Sequence, residues 1–250
     1  MKKILTLLAA ASLLLLPSCR FIRVSDDLME SLKDGLRENG KTIVVDEDGE
    51  TVTASENLAT EARETGAYDA IQCNIPCNMT YTPGDFALSI TAPDNIMEHI
   101  QVLNEGSRLL IKSDGANFRN VKNIYIRVSS NELKEVTFNG AVDFDAPKGI
   151  SAGDFALTVN GAGDIEIDGL QTGDASIIVN GAGDVDVSGI ACKRLSVEIN
   201  GAGDAVVSGD ADRADLQISG AGSINAVELR AGEHNSKVRG IGKIKTPKNN

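Results

Sequence analysis

Four aspartates recur at a nearly constant interval in the C-terminal half of this 250-residue chain: Asp143, Asp164, Asp184 and Asp204, followed in the same place by Ser223 and Lys243. If the segments that carry them stack in parallel, the carboxylates form a file with neighbours ~4.8 Å apart, where like charges in water repel by roughly 0.9 kcal/mol. A row of carboxylate oxygens could ligate a hard cation such as calcium, which makes Asp164, Asp184 and Asp204 the metal-binding candidates. Calcium repeats of the nonapeptide type, however, need Gly-Gly-x-Gly-x-Asp at a much shorter period. Here only Gly-x-Gly-Asp is shared, each copy supplies one carboxylate, and Ser223 and Lys243 break the file. The sequence therefore reads as a solvated acidic edge that holds no metal.

A second file, Asn139, Asn160, Asn180 and Asn200, suits structure better than ligand binding. Stacked amides hydrogen-bond up and down a parallel stack and fix its register. Catalytic constellations are missing: His99 and His234 are the only histidines, and neither sits in a motif with Ser or Cys that suggests a triad. No phosphate loop with its Lys, no HExxH and no paired-Cys zinc pattern occurs. The Gly-Ala-Gly-Asp copies lie between strands rather than ahead of a helix, so they are not dinucleotide loops. A polysaccharide-cleaving coil would need a basic partner beside its aspartates, and no Arg or Lys recurs there. The expectation is a protein without cofactor or catalytic residues, not an enzyme.

The elements that would position these files are strands. Phe138-Asn139-Gly140, Val159-Asn160-Gly161, Val179-Asn180-Gly181, Ile199-Asn200-Gly201, Ile218-Ser219-Gly220 and Val238-Arg239-Gly240 follow one another at intervals of 21, 20, 20, 19 and 20. A period near 20 sustained over six copies marks a solenoid. Aligning the copies gives apolar columns: Val136, Leu157, Ile177, Val197, Leu216; then Phe138, Val159, Val179, Ile199, Ile218, Val238. Past the turn come Phe144, Ile165, Val185, Ala205, Ile224, Ile244 and Ala146, Ile167, Val187, Val207, Ala226. Columns on the same side of the turn are spaced by two, the periodicity of strands with one face inside. Gly-Ala-Gly at 161–163, 181–183, 201–203 and 220–222 makes one corner, Gly169, Gly189 and Gly209 a second, and a third falls near 172–174. Asn-Gly is also a hairpin signal, but an antiparallel meander has no reason to repeat identical columns every rung. The fold expected is all-β, a right-handed parallel β-helix or solenoid with ~20-residue rungs, preceded by an irregular β-rich segment.

Upstream, Lys2 and Lys3 precede an apolar run from Ile4 to Leu16 that meets Pro17, Ser18 and Cys19. The run is too short to span a bilayer and reads as a signal peptide. Leu16-Pro17-Ser18-Cys19 resembles the lipobox of bacterial lipoproteins, which makes Cys19 the lipid-attachment residue and the mature N-terminus, with Pro17 departing from the commoner Ser or Ala. Removing residues 1–18 takes the net charge from −12 to −14, which disfavours nucleic acid and anionic head groups as partners. Val24, Leu28, Leu32 and Leu36 mark a short helix before Gly40, and an acidic stretch follows to Gly66. Cys73 and Cys77, on an extended strand, would stand ~13 Å apart, too far to pair unless Pro76 bends the chain sharply. These two and Cys192 are expected mainly as small buried side chains.

The copies at 159–170, 179–190 and 199–210, together with Glu61-Ala62-Arg63, Tyr68-Asp69-Ala70-Ile71, Tyr81-Thr82-Pro83-Gly84-Asp85 and Gly240-Ile241-Gly242, resemble the auto-transporter adhesin head GIN domain family, DUF2807, over about residues 61–246. The resemblance implies an exported β-helical domain, often on lipoproteins, labelled an adhesin by analogy, without an established ligand or catalytic residues. The expected organisation is a signal peptide at 1–18, a tether with a short helix at 19–65, a β-rich part at 66–132, and the solenoid with a C-terminal cap at 133–250. The expected role is an adhesion or ligand-binding module of the cell envelope, anchored through Cys19 and facing a glycan or protein ligand. Its membrane would be the outer one. Self-association into a structural homo-oligomer is the alternative, and a glycan-degrading enzyme the third.

Overall fold

The structure, a computed structural model, describes residues 45, 46 and 49–249, with side chains from 51 to 247. The signal segment, Cys19 and the helical pattern at 24–36 lie outside the described residues. What is described is all-β. The chain runs through β1 (Val45–Asp46), β2 (Gly49–Thr53), β3 (Leu58–Arg63), β4 (Ala70–Cys73), β5 (Cys77–Pro83) and β6 (Ala87–Pro93) to one helical turn, α1 (Asp94–Met97). It continues through β7 (Ile100–Glu105), β8 (Arg108–Ser113), β9 (Asn117–Arg119), β10 (Tyr125–Ser130), β11 (Glu135–Ala146) and β12 (Ile150–Ser151). The last four are β13 (Phe155–Gln171), β14 (Asp174–Asn225), β15 (Leu229–Lys245) and β16 (Lys248–Asn249).

The repeats pair as the columns require. β11 lies parallel to β13 from Glu135 beside Ala156 to Ala146 beside Ile167. β13 lies parallel to β14, with Val159 beside Val179, and β14 lies parallel to β15, with Ile218 beside Val238. The pairing offset is the sequence repeat itself, so the antiparallel meander is excluded for these copies. Alternation then does the sorting. On β13, Phe155, Leu157, Val159, Ile165 and Ile167 are buried while Asn160, Asp164, Glu166 and Asp168 are not. A slip by one residue would turn the whole set over.

The corners are where backbones stack most closely. Gly181 has φ +152°, and a Cβ placed there would stand 1.8 Å from the carbonyl oxygen of Gly161 in the previous rung. Only glycine fits both the conformation and the space. At the third corner Gly173 N–H donates to the Gly153 carbonyl at 2.7 Å and Lys193 N–H to that of Gly173 at 2.8 Å.

Above the repeats the order loosens. β4 and β5 both add to β11 in parallel, with Cys73 beside Phe138 and Cys77 beside Val142. β8 follows on β4 in parallel and β7 on β8 in antiparallel, while β10 joins β5 in parallel and β6 and then β3 extend that side antiparallel. β3 lies within the stretch read from sequence as tether. β1, β2 and β9 form a small separate sheet. The core is bulkiest where the two regions meet, with the Phe138 and Phe144 rings 5.3 Å apart. The file that begins with Phe144 and Ile165 narrows through Val185 to Ala205 and widens again at the buried Ile224.

One expectation is corrected here. Cys73 and Cys77 do not stand apart on one strand. The chain turns at Asn74-Ile75-Pro76 between β4 and β5, both side chains point into the core, and their sulfurs are 3.6 Å apart. At the other end, β16 pairs only with Arg230 and Ala231 of β15. On β15 the inward file opens to solvent at Val238, which is 42% exposed, and Ile241, in the outer corner column beside Ala221, is 86% exposed.

Candidate functional site

The files singled out in the sequence lie on the outside of the rungs, and the parallel register brings each file together. The Asn ladder is continuous. Asn160 Nδ2 donates to Asn139 Oδ1 at 2.8 Å, Asn180 to Asn160 at 2.9 Å and Asn200 to Asn180 at 3.0 Å. It has a member that the sequence alignment missed: Asn139 Nδ2 donates to Asn74 Oδ1 at 2.7 Å. Asn74 lies far upstream of the regular period, and only the pairing of β4 with β11 shows that it belongs.

The Asp file sits beside the first corner. Its carboxylates are not merely solvated. Asp164 Oδ1 accepts the Asp184 N–H at 3.4 Å and Asp184 Oδ1 the Asp204 N–H at 3.2 Å. Asp204 Oδ1 accepts both the N–H and the hydroxyl of Ser223 at 2.8 Å. Asp164, Asp184 and Asp204 thus each meet a donor from the next rung, which offsets the repulsion between stacked like charges. The break in the file at Ser223 is the point where a neutral donor takes over.

Two residues along, the same alternation builds a second acidic file: Asp145 lies beside Glu166 and Glu166 beside Asp186. Because Phe144, Ile165 and Val185 go inward, the residues that flank them must face water. The signal was in the sequence, in the outward columns of the same alignment. Together the two files place Asp143, Asp145, Asp164, Glu166, Asp184, Asp186 and Asp204 around a shallow groove of about 790 Å³. None of the seven shares an ion pair with a base among the described residues.

The groove at the third corner differs in this respect. There Arg194 Nε lies 3.1 Å from both Asp174 oxygens, and the Arg194 hydrogen bonds hold the Asp174 carboxyl below its ordinary value. Arg213 forms a fork with Asp215 at 2.9 and 3.0 Å, and Lys134 bridges Asp69 and Glu132. Charge is compensated at that corner and uncompensated on the acidic face. The uncompensated face attracts cationic groups and repels anionic ones. It carries carboxylates but no nucleophile held by a base. His99, whose Nδ1 lies 3.0 Å from Asp114 Oδ2, belongs to the β-rich region upstream and lines neither of these two grooves. No group of three or more His, Cys, Asp or Glu side chains with metal-holding geometry occurs among the described residues. No helix among them is long and apolar enough to cross a membrane.

Comparison with known proteins places this geometry. Residues 67–250 match the family model DUF2807, described as "Putative auto-transporter adhesin, head GIN domain". Among solved structures, a putative adhesin from Bacteroides fragilis NCTC 9343 is similar at 22% identity and TM-score 0.62, over 80% of this chain and 100% of that one. A putative adhesin from Parabacteroides merdae ATCC 43184 matches at 19% identity and TM-score 0.66, over 78% of this chain and 82% of its own. A structure from Parabacteroides distasonis ATCC 8503 titled a putative lipid binding protein matches at 19% identity and TM-score 0.68, over 78% and 100%. At these identities the likeness is one of fold. No curated protein matches the sequence.

Proposed function

The chain belongs to the DUF2807 head GIN domain family, and on that premise we propose that it is an exported lipoprotein, held in the outer membrane by lipid on Cys19. Its repeats wind as a right-handed parallel β-helix that serves as a non-enzymatic adhesion or ligand-binding module. Handedness follows from the strong preference of parallel crossover connections. Anchoring rests on Leu16-Pro17-Ser18-Cys19 behind a short apolar segment. Two ester-linked acyl chains with an N-acyl chain exceed what stable membrane attachment needs. The family and the three structural neighbours named above carry adhesin or lipid-binding descriptions.

The observation that carries the binding role is the acidic face: seven carboxylates in register, without basic partners, along a groove. Such a face selects a neutral glycan or a basic protein surface of the cell envelope over anionic ligands. The test is a binding screen with residues 1–19 removed, on glycan arrays and on a panel of envelope proteins. A basic protein captured at low salt should be lost at high salt, and either kind of ligand should be lost in an Asp145→Asn, Glu166→Gln, Asp186→Asn variant. A ligand held equally by that variant would place binding elsewhere. Replacing Cys19 with Ser should release the protein from the membrane fraction, and retention there would remove the anchor.

Self-association is the second reading. It is favoured by the outer edge of β15, which pairs among the described residues only at Arg230 and Ala231 and exposes Ile241. Unpaired strand edges recruit further strands. Sedimentation of the detergent-solubilised protein separates this reading from a monomeric binder.

A further inference from the structure

The first corner of the stack is built unlike those below it. Register aligns Cys73 with Phe138 and Cys77 with Val142, so Asn74-Ile75-Pro76 stands where the next rung has Asn139-Gly140-Ala141. In the lower rungs a glycine of positive φ makes this turn: Gly140 at +139°, Gly161 at +147°, Gly181 at +152° and Gly201 at +150°. The first corner has no such residue, since Asn120 is the only non-glycine with positive φ among the described residues. Ile75 takes the place of the glycine, and the turn is flanked by two cysteines, both buried, with sulfurs 3.6 Å apart.

We infer that Cys73 and Cys77 form an intramolecular disulfide in the exported protein, a covalent staple that closes the corner where the parallel stack begins. The geometry requires little movement. Bonded sulfurs lie ~2.05 Å apart, so the pair closes by side-chain rotation at a turn that already directs both sulfurs inward. Pro76 fixes one backbone angle of the turn, which limits the freedom a bridge would otherwise have to remove. The hydrogen bond between the sulfurs favours the thiolate of Cys73 and, with burial, pushes the Cys77 thiol up.

The oxidant is another disulfide, of a protein or a small molecule. One cysteine thiolate attacks it and forms a mixed disulfide, releasing one thiolate of the reagent. The second cysteine thiolate attacks the mixed bond, forms the Cys73–Cys77 bridge and releases the other. Two protons leave the protein, and the two electrons given up by its sulfurs reduce the reagent to a dithiol or two thiols. Export makes this outcome favourable, because structural disulfides persist in oxidising compartments.

The experiment uses the full chain expressed with its own N-terminal segment and recovered from the cell envelope. Free thiols are blocked with N-ethylmaleimide in denaturant, and trypsin then releases a peptide from Glu64 to Arg108 that contains both cysteines. The peptide should be unlabelled and about 2 Da lighter than the dithiol form, and should take two labels only after reduction with dithiothreitol. Reduction should also lower the melting temperature of the wild type but not that of a Cys73→Ala/Cys77→Ala variant. Two labels without reduction, or a Cys73 or Cys77 bridge between two chains, would overturn the inference. Recovery in the membrane fraction, scored separately, reports on export and anchoring and so distinguishes a failed staple from a failed localisation.

Discussion

Substituting Gly181 with Ala tests whether the stacked corners hold the register. Two costs fall on the variant. A non-glycine residue in a sparsely populated backbone region costs about 1–3 kcal/mol, and Gly181 has φ +152°. The new Cβ would also sit 1.8 Å from the Gly161 carbonyl oxygen and 2.8 Å from its carbon. Those atoms are backbone, so neighbouring rungs must part by more than ~1 Å, which gives up two or so ladder hydrogen bonds at a net of about 1 kcal/mol each. The sum is about 4 kcal/mol. Gly140→Ala is the matched control, because Gly140 occupies the same column with φ +139° and has nothing within 4 Å of an added Cβ. It should bear the backbone cost alone, about 2 kcal/mol. For a chain of this size the melting temperatures should fall by roughly 8–16 °C and 4–8 °C respectively. Urea denaturation followed by far-ultraviolet circular dichroism supplies the free energies directly. If the two variants agree within about 0.5 kcal/mol, a difference well below the ladder cost, then the rung above is not what requires glycine, and close stacking at this corner is refuted.

Two further tests address the outer files. Asp184→Asn keeps an Oδ1 for the Asp204 N–H while removing repulsion from Asp164 and Asp204, so at low salt it should be neutral or stabilising by at most roughly 2 kcal/mol. Asp184→Ala loses the acceptor and should be the less stable by about 1 kcal/mol; the opposite order in denaturant titrations would mean that the carboxylates serve no structural role. The Cys192 thiol is pushed up to about 11 by burial and by Asp174 and Asp212. Because the raised value leaves less thiolate at neutral pH, its alkylation rate in the native protein should keep rising tenfold per pH unit beyond pH ~9, past the ordinary thiol value of ~8.5. A plateau near the ordinary value would contradict that environment.

The sequence by itself determined the rung. A residue type that recurs at an interval near 20 and alternates in and out by twos can satisfy both periods only if successive copies lie parallel and in register, as Val159 beside Val179 and Asn160 beside Asn180 do. It therefore also determined which side chains face water, including the second acidic file of Asp145, Glu166 and Asp186, since inward and outward positions are fixed together by the pleat. What only the tertiary structure decided is the junction where the repeats begin. Nothing in local spacing ties Asn74 to Asn139 or sets Cys73 over Phe138, because β6 to β10 intervene and the corner replaces Gly-Ala with Ile75-Pro76. Those contacts come from pairing between segments 65 residues apart. The same pairing turns two cysteines expected at opposite ends of a strand segment into neighbours 3.6 Å apart. Periodicity reports only the contacts that repeat, whereas a contact made once, between distant segments, depends on where the chain is led by everything folded between them.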